Sequence, residues 1–436
     1  MTQPTPGATA PRSPSRLFYG WYVAMGGAAS NFLVIGIASF GFGVFISPMR
    51  QELGWSVAAI SFGVSLRSFE QGLLAPVTGA LLDRFGPRRM AIVGLTLLSL
   101  GLLLFSQSYT LLTFYASSMV IAVGQSVGSN TPFSQMVMHW FRRKRGRAMG
   151  ILNAGNGAGY LAVPIIAVLV SQVGWRPTLI ICAATIFLVG LPFTVFLRDL
   201  PRDRGLLPDG DDGVDAEAVE RAGRITGMGV GEALRTPAFY LLVLASASGG
   251  TLGAWIVHQV PHLENVGFSR EGAALIAGVY GIVQVGLRLL LGWLGDIVGR
   301  RRLYQFAFLL QGLGLITFAY LTPDRLFLLP FYYIMFASGH AATAVFQGTI
   351  IGDYFGTRRF ATLRGFASII QLPVGVVAPV LAGWRFDQTH TYTPIFTIYG
   401  VLTLTGALWI GLIRRPVWER EDADEIRAPT RGSAGS

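Results

Sequence analysis

Twelve apolar runs, each long enough to cross the roughly 30 Å hydrocarbon core of a bilayer, recur along this chain of 436 residues. They fall at about 18–46, 56–80, 89–107, 110–140, 148–172, 177–198, 236–261, 270–295, 302–321, 326–354, 360–384 and 391–413. In lipid every backbone N–H and C=O must find a partner within the chain, so runs of this length imply helices. Composition agrees: hydrophobic residues make up 52%, charged residues 13%, and mean hydropathy is +0.52. A soluble domain carries roughly 25% charged residues, and half of that cannot coat a core of this size. A soluble enzyme, a nucleic-acid binder and a disordered protein are excluded. The expected fold class is an all-α membrane protein with twelve transmembrane helices. The first run is too long for a signal-peptide core and lacks a clear cleavage site, so it reads as a helix. The single cysteine, Cys182, allows no intramolecular disulfide or paired-cysteine metal site.

Orientation follows from the basic residues, of which 33 are Arg and only Lys144 is Lys. Twenty-seven lie in the two tails and the loops after even-numbered runs, against five on the other side: Arg50, Arg176, Arg270, Arg325 and Arg385. Basic loops stay inside, so both termini are expected to be cytoplasmic. The longest polar interval, 199–235, contains Pro201, Pro208 and the acidic Asp209, Asp211 and Asp212, and reads as a cytoplasmic linker. Its end, Gly231 to Arg235, suits a short interfacial helix. The expected organisation is a disordered tail over 1–15, a six-helix bundle over 16–198, the linker, a second bundle over 236–413 and a C-terminal tail over 414–436.

The two halves repeat. Gly79, Asp83, Gly86, Arg88 and Arg89 follow the second run; Gly292, Asp296, Gly299, Arg301 and Arg302 follow the eighth at the same spacing, 213 residues on. Pro48 and Pro261, Gly54 and Gly267, and Ser56 and Ser269 share that offset. Duplicated six-helix units are expected to place a binding site at their interface near mid-membrane.

The repeated G-x3-D-x2-G-x-R-R element, set among twelve spans, resembles the major facilitator superfamily. The resemblance covers about 18–413 and implies two pseudo-symmetric bundles. It also implies a cytoplasmic gate in which Asp83 and Asp296 cap helix ends or pair with neighbouring arginines. Three segments resemble the monocarboxylate-transporter family and its bacterial oxalate:formate antiporter-like members. These are Phe18-Tyr19-Gly20-Trp21, the stretch from Trp140 through Lys144 to Gly150, Asn153 and Asn156, and Arg288 followed by Gly292. The edge from Gly383 to Asp387, with Tyr392, looks like bacterial members. Residence in a bacterial inner membrane is an expectation from this resemblance.

Arg288 lies about 12 Å deeper than Asp296, at 1.5 Å per residue. An Arg within a span costs from about 2.5 to more than about 10 kcal/mol, so it needs a partner, water or a role. Its planar fork matches a carboxylate, and in the resembled family the Arg at this place binds substrate carboxylate. The structural alternative is an ion pair with Glu70. Eukaryotic members carry an Asp one turn before this Arg and a Lys in helix 1; here Gln284 stands at the first place and helix 1 has no Lys. Gln284, at i, i+4, is expected to orient Arg288 or bond substrate, or simply to pack.

Arg67 and Glu70, at i, i+3, read first as a local ion pair; the sharper alternative makes Glu70 a proton carrier. His258 is a candidate for substrate or proton binding, against an outer-end hydrogen bond. Asn130 and Asn153 are pocket candidates, with Asn156, Gln347 and Gln371 as further polar groups in apolar spans. Phe40, Phe42, Tyr280 and Tyr332 are candidate pocket walls, and His139 reads as structural. The expected protein is a secondary transporter for a small monocarboxylate-like anion, working as a monomer by alternating access, with or without protons. A drug or metabolite exporter and a non-transporting sensor are the alternatives. No cofactor, metal or nucleotide loop is expected.

Overall fold

The computed structural model describes residues 18–141, 144–206, 209, 228–355, 360–414 and 416. The linker segment 210–227 and both tails lie outside them. Among the described residues the structure is helical, without strands. The first six membrane helices are α1 (Tyr19–Leu53), α2 (Val57–Phe85), α3 (Pro87–Ser106), α4 (Leu111–Trp140), α5 (Arg147–Val173) and α6 (Trp175–Phe196). The second six are α7 (Pro237–Asn265), α8 (Arg270–Val298), α9 (Arg300–Ala319), α10 (Leu328–Phe355), α11 (Phe360–Thr389) and α12 (Thr393–Leu412). Nine of them are long and apolar enough to cross a membrane on composition alone. The other three are α2, with Arg67 and Glu70, α8, with Gln284 and Arg288, and α9, which opens on three arginines. The polar stretch 230–235 holds a short helix, Val230–Ala233, where the sequence suggests an interfacial one.

The helix ends explain why the runs break where they do. α1 passes the end of its apolar run and stops at Gly54, whose φ of 68° needs no Cβ. Ser56 then caps α2 by accepting from the Ala59 N–H at 3.1 Å. The repeat is kept at the same register: Gly267 has φ 108°, and Ser269 accepts from the Gly272 N–H at 3.1 Å. Gly86 and Gly299, at φ 85° and 97°, make the sharp turns after α2 and α8. Beyond them Arg88 donates to the Val195 carbonyl of α6 at 2.6 Å, and Arg301 to the Gly411 carbonyl of α12 at 3.0 Å. The duplication in sequence is thus a duplication of contacts.

Several helices depart from regular winding near their middles. α1 widens over Gly36–Phe40, and α5 tightens over Gly159–Leu161 directly against it, so that Phe40 stacks on Tyr160 at 3.6 Å. α7 tightens over Gly249–Thr251, α10 widens over Tyr333–Ala337, and α4 breaks at Ser129. Such irregular turns are common at functional sites, and backbone of this kind inside a membrane is tolerated where protein or water surrounds it.

The two bundles touch at one end and part at the other. At the end bearing the α1–α2, α7–α8 and α11–α12 loops, a Cβ on Gly43 would meet the Val257 carbonyl at 2.6 Å. One on Gly281 would meet Tyr160 at 2.3 Å, and one on Gly383 the Val57–Ala58 backbone at 2.9 Å. Toward the opposite end, which carries the α2–α3 and α8–α9 turns, Gly79, Gly150, Gly286 and Gly365 have nothing within 4 Å of that position among the described residues. The molecule is closed on the side away from the basic loops and open toward them.

Candidate functional site

Arg288 sits where the bundles meet, its guanidinium against Gly157 of α5. It is half-buried, and no acidic side chain among the described residues pairs with it. Its Nε donates to Gln284 Oε1 at 2.9 Å, and Gln284 Nε2 donates to the Tyr280 hydroxyl at 3.0 Å. Tyr280 in turn bonds His340 Nδ1 on α10. Three α8 residues one turn apart and one α10 residue therefore form a continuous series. The α8 spacing puts positions 280, 284 and 288 on one face. Gln284 thus contacts both Arg288 and Tyr280. Tyr280 is fully buried between Trp255, Tyr160, Tyr332 and Phe336, so it supports the site from behind rather than walling a pocket. His340 escapes a reading of the sequence, since its partner is 60 positions away.

Arg67 and Glu70 do not form the expected ion pair. Arg67 turns toward α1, donating from Nη1 to the Ala38 carbonyl at 3.1 Å with its guanidinium 4.5 Å from the Phe42 ring centroid. Its Nε and Nη2 and both Glu70 carboxylate oxygens are buried without hydrogen-bond partners. The widened turn of α1 brings a carbonyl and an aromatic face to Arg67, and these replace the neighbour on its own helix. Glu70 does not pair with Arg288 either. Phe42 is thereby a seat for Arg67 rather than a pocket wall.

Two cavities flank the interface. One of about 510 Å³ is lined from the first bundle by Ser39, Phe40, Gln71, Gln125, Ser129 and Thr131, among others. Gln71 donates to Gln125 at 3.0 Å, and Gln125 to Ser39 at 2.8 Å. The second, about 330 Å³, lies in the other bundle among Gln311, His340, Thr343, Gln347 and Gln371. Gln347 donates to Gln371 at 3.2 Å. Both mix polar and apolar lining without an acidic or a Lys or Arg side chain, and each falls at or above the lower limit usual for small-molecule sites. Asn130, at the break in α4, accepts from Asn31 at 3.4 Å, and Asn153 accepts from Asn156 at 3.4 Å; both are exposed.

His258 lies apart from Arg288, fully buried in the closed end, with Nε2 3.0 Å from the Pro379 carbonyl and 3.2 Å from Ser61 Oγ of the other bundle. Its place favours the outer-end hydrogen bond over a cavity role. Further contacts cross the same end. The Asp387 carboxylate accepts from the Val57 and Ala58 N–H groups at 3.0 and 2.9 Å, and Ser47 donates to Glu264, which Arg270 also holds at 2.9 Å. At the open end Asp199 accepts from the Arg88 N–H at 2.8 Å, and the His139 ring meets the Asp199 carbonyl at 3.2 Å, a structural contact as expected. Burial raises the Asp199 carboxyl above its ordinary range, and the Arg88 N–H partly offsets this. Gly86 and Gly299 make the turns, whereas the side chains of Asp83 and Asp296 lie outside what the structure describes.

Two facing six-helix bundles, related by an internal repeat and closed at one end over cavities, suit a membrane transporter. The family model of the Major Facilitator Superfamily matches residues 28–263 and 254–433, and the chain belongs to that superfamily. It is similar to bovine (Bos taurus) monocarboxylate transporter 13, 27% identical over 394 residues, covering 89% of this chain and 88% of the relative. It is also similar to human (Homo sapiens) monocarboxylate transporter 11, 29% identical over 418 residues, covering 93% and 85%. Among solved structures, the nucleoside transporter NupG superposes with a TM-score of 0.70 at 13% identity, over 89% of this chain and 99% of that one, which supports the fold. The relatives and the structural neighbour are transporters, not enzymes.

Proposed function

We propose that the protein carries a small organic anion across the membrane by alternating access, with Arg288 as the carboxylate anchor. The observation that carries this reading is the state of Arg288: Nε is held by Gln284, while Nη1 and Nη2 donate to no described residue. A cation held this deep without a counter-ion favours an anionic ligand, and a guanidinium edge takes a carboxylate through two parallel bonds. The relatives' names, monocarboxylate transporters, support the same chemistry. Carboxylate binding neutralises Arg288 and removes the cost of enclosing a lone charge when the open end shuts. Substrate or proton gradients supply the driving force, with Glu70 the proton-carrier candidate. The 27 basic residues that the sequence assigns to the tails and to the loops of one side support a cytoplasmic position for that side and for both termini. A bacterial inner membrane and a single working chain complete the reading.

The unpartnered Glu70 carboxylate keeps a second reading alive, export of a hydrophobic cation. Uptake into proteoliposomes separates the two. Small carboxylates and hydrophobic cations are offered to wild type and to Arg288→Ala. The first reading expects carboxylate uptake that falls at least about thirtyfold in the variant, in line with removing one partner of a buried charge pair. Carboxylate uptake that survives in Arg288→Ala removes Arg288 as anchor, and cation movement alone supports the second reading.

A further inference from the structure

The hydrogen bonds behind Arg288 have a direction that can be deduced although no hydrogen is seen. A guanidinium only donates, so Gln284 must turn Oε1 to Arg288 Nε. The amide nitrogen then faces the other way and donates to the Tyr280 oxygen. The Tyr280 hydroxyl receives that bond and still has its own proton to place. Its remaining polar contact among the described residues is His340 Nδ1; the groups around it are otherwise the rings of Trp255, Tyr160, Tyr332 and Phe336. Every donor therefore points from Arg288 toward His340, and the series ends on an unprotonated Nδ1.

We infer that Tyr280 and His340 are positioning residues for the substrate site, His340 acting as the terminal acceptor that keeps the Gln284 carbonyl oxygen on Arg288 Nε. This rests on the reading of Arg288 as the carboxylate anchor. Without a terminal acceptor, the Tyr280 hydroxyl must turn its proton elsewhere within an aromatic enclosure. A buried donor without a partner is costly, and the arrangement that relieves it gives up the Gln284–Tyr280 bond. Gln284 is then free to rotate, and the guanidinium plane is no longer held. With the series intact, Nε is occupied and the Nη1–Nη2 edge faces the ligand. The specificity that follows is for a carboxylate taken end-on by that edge.

The test is transport kinetics in proteoliposomes for Tyr280→Phe, His340→Leu, the double variant and His340→Asn, with Arg288→Ala alongside. Tyr280→Phe and His340→Leu are each expected to raise KM for a carboxylate about tenfold, the worth of one net hydrogen bond, with kcat within about twofold. The double variant is expected to match either single one, because the series is already broken. His340→Asn, whose amide oxygen can accept from Tyr280, is expected to stay within about threefold of wild type. A merely structural role would lower the amount of folded protein without this KM and kcat split and without the Asn rescue. An unchanged KM in Tyr280→Phe, single effects that multiply in the double variant, or failure of Asn to rescue overturns the inference. Should His340→Leu not fold, Tyr280→Phe and His340→Asn still give opposite expectations. Loss of uptake in Arg288→Ala with normal Tyr280 and His340 variants defeats this inference alone. A normal Arg288→Ala defeats the anchor reading itself.

Discussion

Arg67 and Glu70 show how far residue-scale rules reach inside a membrane. The i, i+3 pairing rule describes helices whose side chains have only each other and water. Here Ala38 and Phe42 of α1 claim the guanidinium, and the Glu70 oxygens are left without a partner. A carboxylate that accepts no hydrogen bond can gain or lose a proton without breaking one, which suits it to carry protons. Glu70→Gln, the neutral isostere, is expected to abolish uptake driven by an inward proton gradient while leaving carboxylate exchange within about threefold, the margin of one weak contact. Proton-driven uptake that persists in this variant would sink the carrier role. The legibility of the site follows the same division. Arg288 stands out in sequence because one charge in an apolar run has to be explained, and Gln284 follows from helical spacing. His340 does not stand out, because nothing in α10 alone reveals that it receives a bond from α8.

At the scale of the element, the first turn of α2 joins the two bundles. Its N–H groups at Val57 and Ala58 are satisfied by Asp387 at the far end of α11, and that of Ala59 by its own Ser56. A helix start with open N–H groups and a positive dipole end favours an anion there, and this one comes from the opposite half of the molecule. The arrangement has no acidic copy in the repeat: the corresponding end of α5, around Val173 and Gly174, offers no carboxylate, and the first turn of α8 meets that end through Glu271 and Ser171 instead. The closed end is thus held asymmetrically although the helices are not. Charge-assisted bonds of this kind are worth about 1.5–3 kcal/mol each. Asp387→Ala is expected to shift the resting balance toward the state open at this end by at least about tenfold. Labelling of a cysteine placed at Ser61, buried behind the contact, reads that shift from the α2-start side. A labelling rate equal to that of the same cysteine in an Asp387 background would show that the contact does not hold the end shut.

For the whole molecule, the duplication and the twelve spans are legible in sequence because each depends on local pattern: apolar length, a glycine at a turn, a serine at a cap. The Gly54–Gly267 and Gly86–Gly299 pairs share positive φ at matching positions, and the two Ser caps bond at equal distance. The end that is shut is not legible, because it rests on contacts between residues far apart in the chain, such as Ser61 with His258, and Ser47 with Glu264. Two bundles built alike and packed against each other at one end can pivot with little internal change, each helix keeping its own hydrogen bonds. Rocking of this sort makes exposure at the two ends mutually exclusive. Cysteines at Ser61 in the closed end and at Thr131 on the wall of the open cavity report the two sides. The native Cys182 is buried and can be replaced beforehand by serine. Reactivity toward an impermeant maleimide is expected to be high at position 131 and low at 61 at rest, and conditions that raise one are expected to lower the other. Reactivity that rises at both positions together would describe a pore rather than a carrier. Reactivity unchanged by any substrate at either position would leave the bundles fixed, and alternating access would have to be given up.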